Sequence, residues 1–170
     1  MNLLKVCTDF RKAIEDIRDE GGFSVKDRMH RFPGGCCDDT SDLLAFYLWE
    51  EYSIETRQLI KIYEPDEPEL KCNHAVLLLD DNEIIDLTGD QFPGGTEVYI
   101  GEENEFYQAM EFDSIIDNFD IRKQDRLFND YLAIRKLNFR KLSVEERKWL
   151  KKIAEKSDLL KNPKPQRGRR

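Results

Sequence analysis

The hydrophobic period changes near residue 55, and that change limits the folds open to this chain. Residues 3–18 carry Leu3, Val6, Phe10, Ala13, Ile14 and Ile17 at helical spacing, with charged residues between them. They read as an amphipathic helix ended by Gly21 and Gly22. Residues 23–38 show no period and read as a loop. A second helix is expected over 39–52, with Leu43, Leu44, Phe46, Tyr47 and Leu48 as its apolar part. Asp38, Asp39, Thr40 and Ser41 crowd its start, as N-cap chemistry and the helix dipole favour. Beyond residue 55 the pattern is that of strands: 56–63, 74–79, 83–88 and a fourth at 96–101. The run 74–79 is apolar at successive positions, which suits a strand covered on both faces. Residues 64–71, 80–82 and 89–95 read as loops and turns. Residues 113–137 return to a mostly helical pattern. Ser143 to Glu146 form a capping box ahead of a last helix bearing Trp149, Leu150 and Ile153. Helices on either side of a block of antiparallel strands define an α+β fold.

A length of 170 residues suits one domain, expected over 1–160. Residues 161–170, KNPKPQRGRR, are rich in Pro, Gly and positive charge and are expected to form a disordered basic tail. Removing their five positive charges takes the formal net charge from −8 to −13. The whole chain's pI near 4.9 weighs against a general nucleic-acid binder, which needs a basic face. No apolar run approaches the roughly 20 residues that cross a bilayer. The charged N-terminus lacks the apolar stretch of a signal peptide. The expected compartment is the cytoplasm, where Cys7, Cys36, Cys37 and Cys72 would be free thiols.

The order of chemistry-bearing residues is informative. Cys37 stands just before a helix start, where the dipole and free backbone N–H groups favour a thiolate. The same N–H groups suit the oxyanion formed when a thiolate attacks a carbonyl. Such a thiolate needs an imidazole, and the imidazole needs a group to orient it. The chain has two histidines, His30 and His74. His74 opens a strand and Asp86 lies on the next. A three-residue loop at Asp80, Asp81 and Asn82 would pair Leu79 with Glu83 and Val76 with Asp86. His74 and Asp86 would then be diagonal neighbours on one face. A two-residue loop would turn Asp86 to the other face. Asp90 shares the parity of Asp86 and is the reserve candidate.

The segments F-P-G-G-C-C-D-D-T-S (32–41), N-H-A-V (73–76) and I-I-D-L-T-G-D-Q-F (84–92) resemble papain-fold cysteine hydrolases of the transglutaminase-like kind. The likeness is to a group of small bacterial proteins with the pattern F-P-x-G-x-C-G-D, H-A-W and D-x-T-x-x-Q-F. It covers residues 32–92. It implies Cys37 as nucleophile, His74 as base, Asp86 as orienting acid, and an antiparallel sheet packed on the cysteine-bearing helix. Gln91 and Phe92 match the terminal Q-F, to which no role is assigned. Two positions depart: Asp38 replaces the usual Gly after the nucleophile, and Val76 replaces the Trp after H-A. A carboxylate facing the thiol would oppose ionisation, and a missing aromatic would open the site or alter its substrate.

Other readings compete. Cys37 could be a buried structural thiol, the common fate of a free cysteine, and Cys36 is its neighbour in the same loop. His30 reads as a surface residue. Cys36, Cys37, Cys72 and His74 are a ligand set zinc accepts, but adjacent ligands without a Cys-x-x-Cys spacing fit it poorly. The Gly pairs at 34–35 and 94–95 lack the setting of a phosphate loop. Asp113, Asp117 and Asp120 read as a solvated helix face rather than a cation site. The expected activity is acyl transfer or hydrolysis on a protein or peptide amide, without metal or cofactor. An inert binding module of immunity-protein or inhibitor type is the alternative.

Overall fold

The computed structural model describes residues 1–138. The capping box at Ser143, the helix after it and the tail 161–170 lie outside the described residues. Among those described, four helices and a five-stranded antiparallel sheet form an α+β fold. Helix α1 spans Leu3–Asp19 and buries Cys7, Phe10, Ala13, Ile14 and Ile17, close to the apolar set read from its period. Asn2 caps it by accepting from the Lys5 N–H, and Gly21, at φ +71°, ends it. Helix α2 spans Cys37–Tyr52 and begins two residues earlier than expected. Cys37 is thus in its first turn instead of the loop before it.

The strands are β1 (Arg57–Tyr63), β2 (Cys72–Leu78), β3 (Ile84–Asp86), β4 (Tyr99–Gly101) and β5 (Glu111–Asp117), in the order β4-β3-β2-β1-β5. Helix α3 (Glu105–Gln108) separates β4 from β5, and α4 (Asp125–Asn138) follows. Strand β5 corrects the helical expectation for the start of 113–137; only the later part is helical. Its residues are exposed on both sides, so it carries no alternation to read. What makes it a strand is β1, whose open edge needs backbone partners: Leu59 pairs with Ile115 and Gln58 with Ile116. Asp113 and Asp117 therefore lie on an edge strand, not a helix face.

The two faces of the sheet have different coverings. Leu77 and Ile85 join the main core with α1, α2 and α4, among Phe10, Ile14, Leu44, Leu48, Phe128 and Ile134. Side chains alternate along strands, so the register puts Lys61, Leu59, His74, Val76, Ile84 and Asp86 on the opposite face. There Leu59, Val76, Leu78 and Ile84 form a smaller cluster with Tyr107 of α3. No described helix is long and apolar enough to cross a membrane.

Candidate active site at the head of helix α2

The hairpin β2–β3 decides the first contact. Leu77 pairs with Ile85 and Leu78 with Ile84. The Leu79 N–H donates to Glu83 O and the Asn82 N–H to Leu79 O, which closes the three-residue loop. Asn82 takes the left-handed conformation, φ +68°, that this loop requires. The resulting register brings His74 Nε2 to 2.7 Å from Asp86 Oδ2, with both residues buried. The other Asp86 oxygen, Oδ1, accepts from the Thr88 N–H at 2.8 Å and the Thr88 hydroxyl at 3.1 Å. This is the Asx-turn chemistry of Asp-x-Thr.

His74 Nδ1 is buried and makes no hydrogen bond among the described residues. The Phe92 ring stands edge-on to the imidazole, 4.9 Å between centroids, and also packs on Tyr63. Cys37, partly exposed, reaches the end of β2, where its thiol lies 3.9 Å from the Asn73 carbonyl oxygen. Burial alone would lower the His74 pKa. The charge and hydrogen bond of Asp86 outweigh it, the Cys37 thiol adds to the upward pull, and the imidazole is held at about 9. The thiol is thus close enough to His74 to act on it, while its directed contact is with the Asn73 carbonyl. Cys36, the N-cap residue, makes no side-chain cap hydrogen bond, so it leaves the first-turn N–H groups of α2 uncapped.

The remaining candidates have other occupations. Cys36 is fully buried, its thiol on Pro33 O and the Thr40 hydroxyl, and burial pushes it up to about 12. Asp90 does not extend the face of Asp86, because the chain turns at Gly89–Gln91 and strand parity ends there. Arg11, buried in α1, takes the Asp90 carboxylate with two nitrogens and also donates to Leu87 O and Glu97 O. Asp90 is therefore a clamp between α1 and the loop after β3, which corrects its reserve role. Gln91 ties the cysteine loop to that same loop: it accepts from the Gly35 N–H at 3.2 Å and donates to Thr88 O at 2.9 Å. No described group of three or more Cys, His, Asp or Glu is arranged to hold a metal.

The two departures from the family pattern have structural consequences. Asp38 is paired with Arg28 at 3.0 Å, and the same guanidinium holds Asp39 at 2.6 Å. Its charge is thus partly neutralised beside the thiol. Val76 is fully buried in the small cluster below Tyr107, so the position shapes packing under the site instead of an open cleft. Tyr107, whose hydroxyl donates to Asp86 Oδ2 at 2.9 Å, escapes sequence reading: it lies 21 residues downstream on a four-residue helix, with no spacing to mark it. Comparison with family models, with curated proteins and with solved structures finds no match to this chain.

Proposed function

We propose that this protein is a cysteine-dependent acyl-transfer enzyme of papain-like or transglutaminase-like type, acting on an amide bond of a protein or peptide in the cytoplasm. One observation carries the reading. A partly exposed thiol in the first turn of a helix stands beside a buried imidazole that is tied to a buried carboxylate through one nitrogen and has the other unpartnered. An imidazole held near 9 is protonated at neutral pH and would favour the Cys37 thiolate. The thiolate attacks the amide carbonyl, forming the C–S bond as the carbonyl electrons move to oxygen. First-turn N–H groups of α2 hold the oxyanion. His74 passes its proton to the leaving nitrogen as the C–N bond breaks, leaving a thioester on Cys37. It then takes a proton from water or an acceptor amine, whose oxygen or nitrogen bonds to the acyl carbon as the C–S bond breaks, releasing the acyl product and restoring the thiolate and imidazolium. Asp86 keeps the ring oriented throughout.

The test is chemical and does not depend on knowing the substrate. Iodoacetamide at pH 6–7 should modify Cys37 first, Cys72 more slowly, and Cys36 and Cys7 last. Both slow thiols are fully buried, and burial pushes each up to about 12. His74→Ala should slow Cys37 alone. Cys37→Ala and His74→Ala should each abolish amide turnover with the fold retained. The competing reading, an inert binding module on the same fold, wins if no thiol responds to loss of His74. If Cys36 is the fast thiol and responds to that loss, the nucleophile is off by one residue.

A further inference from the structure

We infer that Tyr107 is a positioning residue of this site, setting how Asp86 holds His74; the inference rests on the catalytic reading of Cys37, His74 and Asp86. Asp86 is 2% exposed and accepts from four donors. Oδ1 takes the Thr88 N–H and hydroxyl, and Oδ2 is shared between His74 Nε2 at 2.7 Å and the Tyr107 hydroxyl at 2.9 Å. An ionised carboxylate offers about four acceptor sites, so this set satisfies it.

The phenol is brought there by dedicated local structure. Asn104 caps α3 by accepting from the Phe106 and Tyr107 N–H groups. Glu103, just before it, is paired with the buried Lys61, which stands opposite His74 across β1 and β2. Tyr99 and Phe106 pack on the Tyr107 ring, with centroids 4.9 and 4.8 Å away. Gly89 leaves room for the contact: a Cβ there would lie 2.9 Å from Asp86 Oδ2 and 3.3 Å from the Tyr107 oxygen. Gly95 lets the next loop close over Gly89, whose carbonyl oxygen would lie 1.9 Å from an added Cβ. Burial first, and then the charge of Asp86, push the Tyr107 ionisation far up, so the phenol stays a donor.

Sharing Oδ2 has a chemical effect. Each donor to a carboxylate spreads its charge and weakens its hold on a neighbouring cation. With the phenol present, Asp86 still orients His74 but holds its proton less tightly than an unshared carboxylate would. Without it, the carboxylate stabilises the imidazolium more strongly, and the proton passes less readily to a leaving group.

The experiment is an NMR titration of the full chain, whose two histidines give separable imidazole signals, with Tyr107→Phe and with 3-fluorotyrosine placed at 107. The phenylalanine keeps the ring and removes only the hydroxyl. Its expected effect is a His74 midpoint moved to higher pH by about half a pH unit or more, with His30 unchanged. The fluorinated phenol is a better donor and should move the midpoint to lower pH. On a turned-over amide, Tyr107→Phe should lower kcat about tenfold with KM within about twofold. An unmoved or lowered midpoint in Tyr107→Phe, or an unmoved one with the fluorinated residue, overturns the inference. A ring that merely filled space would leave both unchanged. Alkylation of Cys37 in His74→Ala separates the two claims. If it is insensitive to His74 while the midpoint still follows residue 107, the coupling stands and the catalytic reading fails.

Discussion

Cys36 and Cys37 are consecutive, and helical geometry separates their fates. Successive residues point about 100° apart around a helix. At the start of α2 this sends the Cys36 thiol into the core and leaves Cys37 at the end of β2. The same turn carries Asp38, whose charge would raise the cost of a thiolate if it were unpaired. Arg28 supplies the counter-charge. Arg28→Ala should therefore slow iodoacetamide alkylation of Cys37 by about two- to fivefold at low ionic strength, the difference shrinking toward 0.5 M salt as screening takes over. Rates that are equal in the two proteins at low salt would show that Asp38 does not act on the thiol.

At the scale of elements, the β2–β3 hairpin carries the site's geometry. Its three-residue loop puts Asp86 on the face of His74, and a one-residue change in loop length would reverse every side chain of β3. Asn82 holds the loop's left-handed position, where a Cβ-bearing residue without Asn's local hydrogen bonding is strained. Asn82→Ala should cost about 1 kcal/mol in urea unfolding, and Asn82→Gly should be near neutral. Equal losses for both would mean that the Asn side chain, not its conformation, is what matters. On the other side of β3, the Arg11–Asp90 clamp ties α1 to the loop that leads to β4, and Gln91 ties that loop to the cysteine loop. The residues around the site are thus anchored from three separate elements.

Across the whole molecule, excess acid is folded inward at several points. Asp42 and Glu50 are pushed up to about 7 by burial. Asp130 is pushed up to about 8 by burial and then by the Asp27 charge. Arg126 spans Asp27 and Asp39 at 2.8 Å each but lies 3.6 Å from Asp130, whose Oδ2 has no hydrogen-bond partner among the described residues. Each of these carboxyls binds its proton more tightly folded than unfolded, where its pKa is about 4. Their contribution is fully present below about pH 4 and is lost as pH rises through 7 to 8. His74 has the same sign: its contribution is present below about pH 6.5 and is lost as pH passes about 9. The protein should accordingly melt at a higher temperature at pH 5.5 than at pH 8. Asp130→Asn should stabilise it at pH 8, by about 1 kcal/mol or more, and by less at pH 5.5. Calorimetry at the two pH values checks both, and a variant equally stable relative to wild type at both would exclude a titrating Asp130.

Much of this architecture is local in origin and was therefore open to sequence reading. The period of α1, its glycine end, the polar start of α2, the alternation of β1 and the loop at 80–82 all arise from residues within a few positions of one another. The pairing parity of His74 and Asp86 follows from one loop length. The rest depends on partners distant in sequence. Strand β5 exists because β1 has an edge to fill, and no pattern within residues 111–117 announces it. Asp90 answers to Arg11, 79 residues away, and Asp86 to Tyr107. Which of two adjacent thiols faces outward is settled by where α2 begins. Sequence by itself determined the short-range elements, because propensity, capping and turn chemistry act over one or two turns of chain. Only the tertiary structure decided which buried polar groups meet, because most buried donors and acceptors are paired and their partners are brought together by the fold from positions distant in sequence.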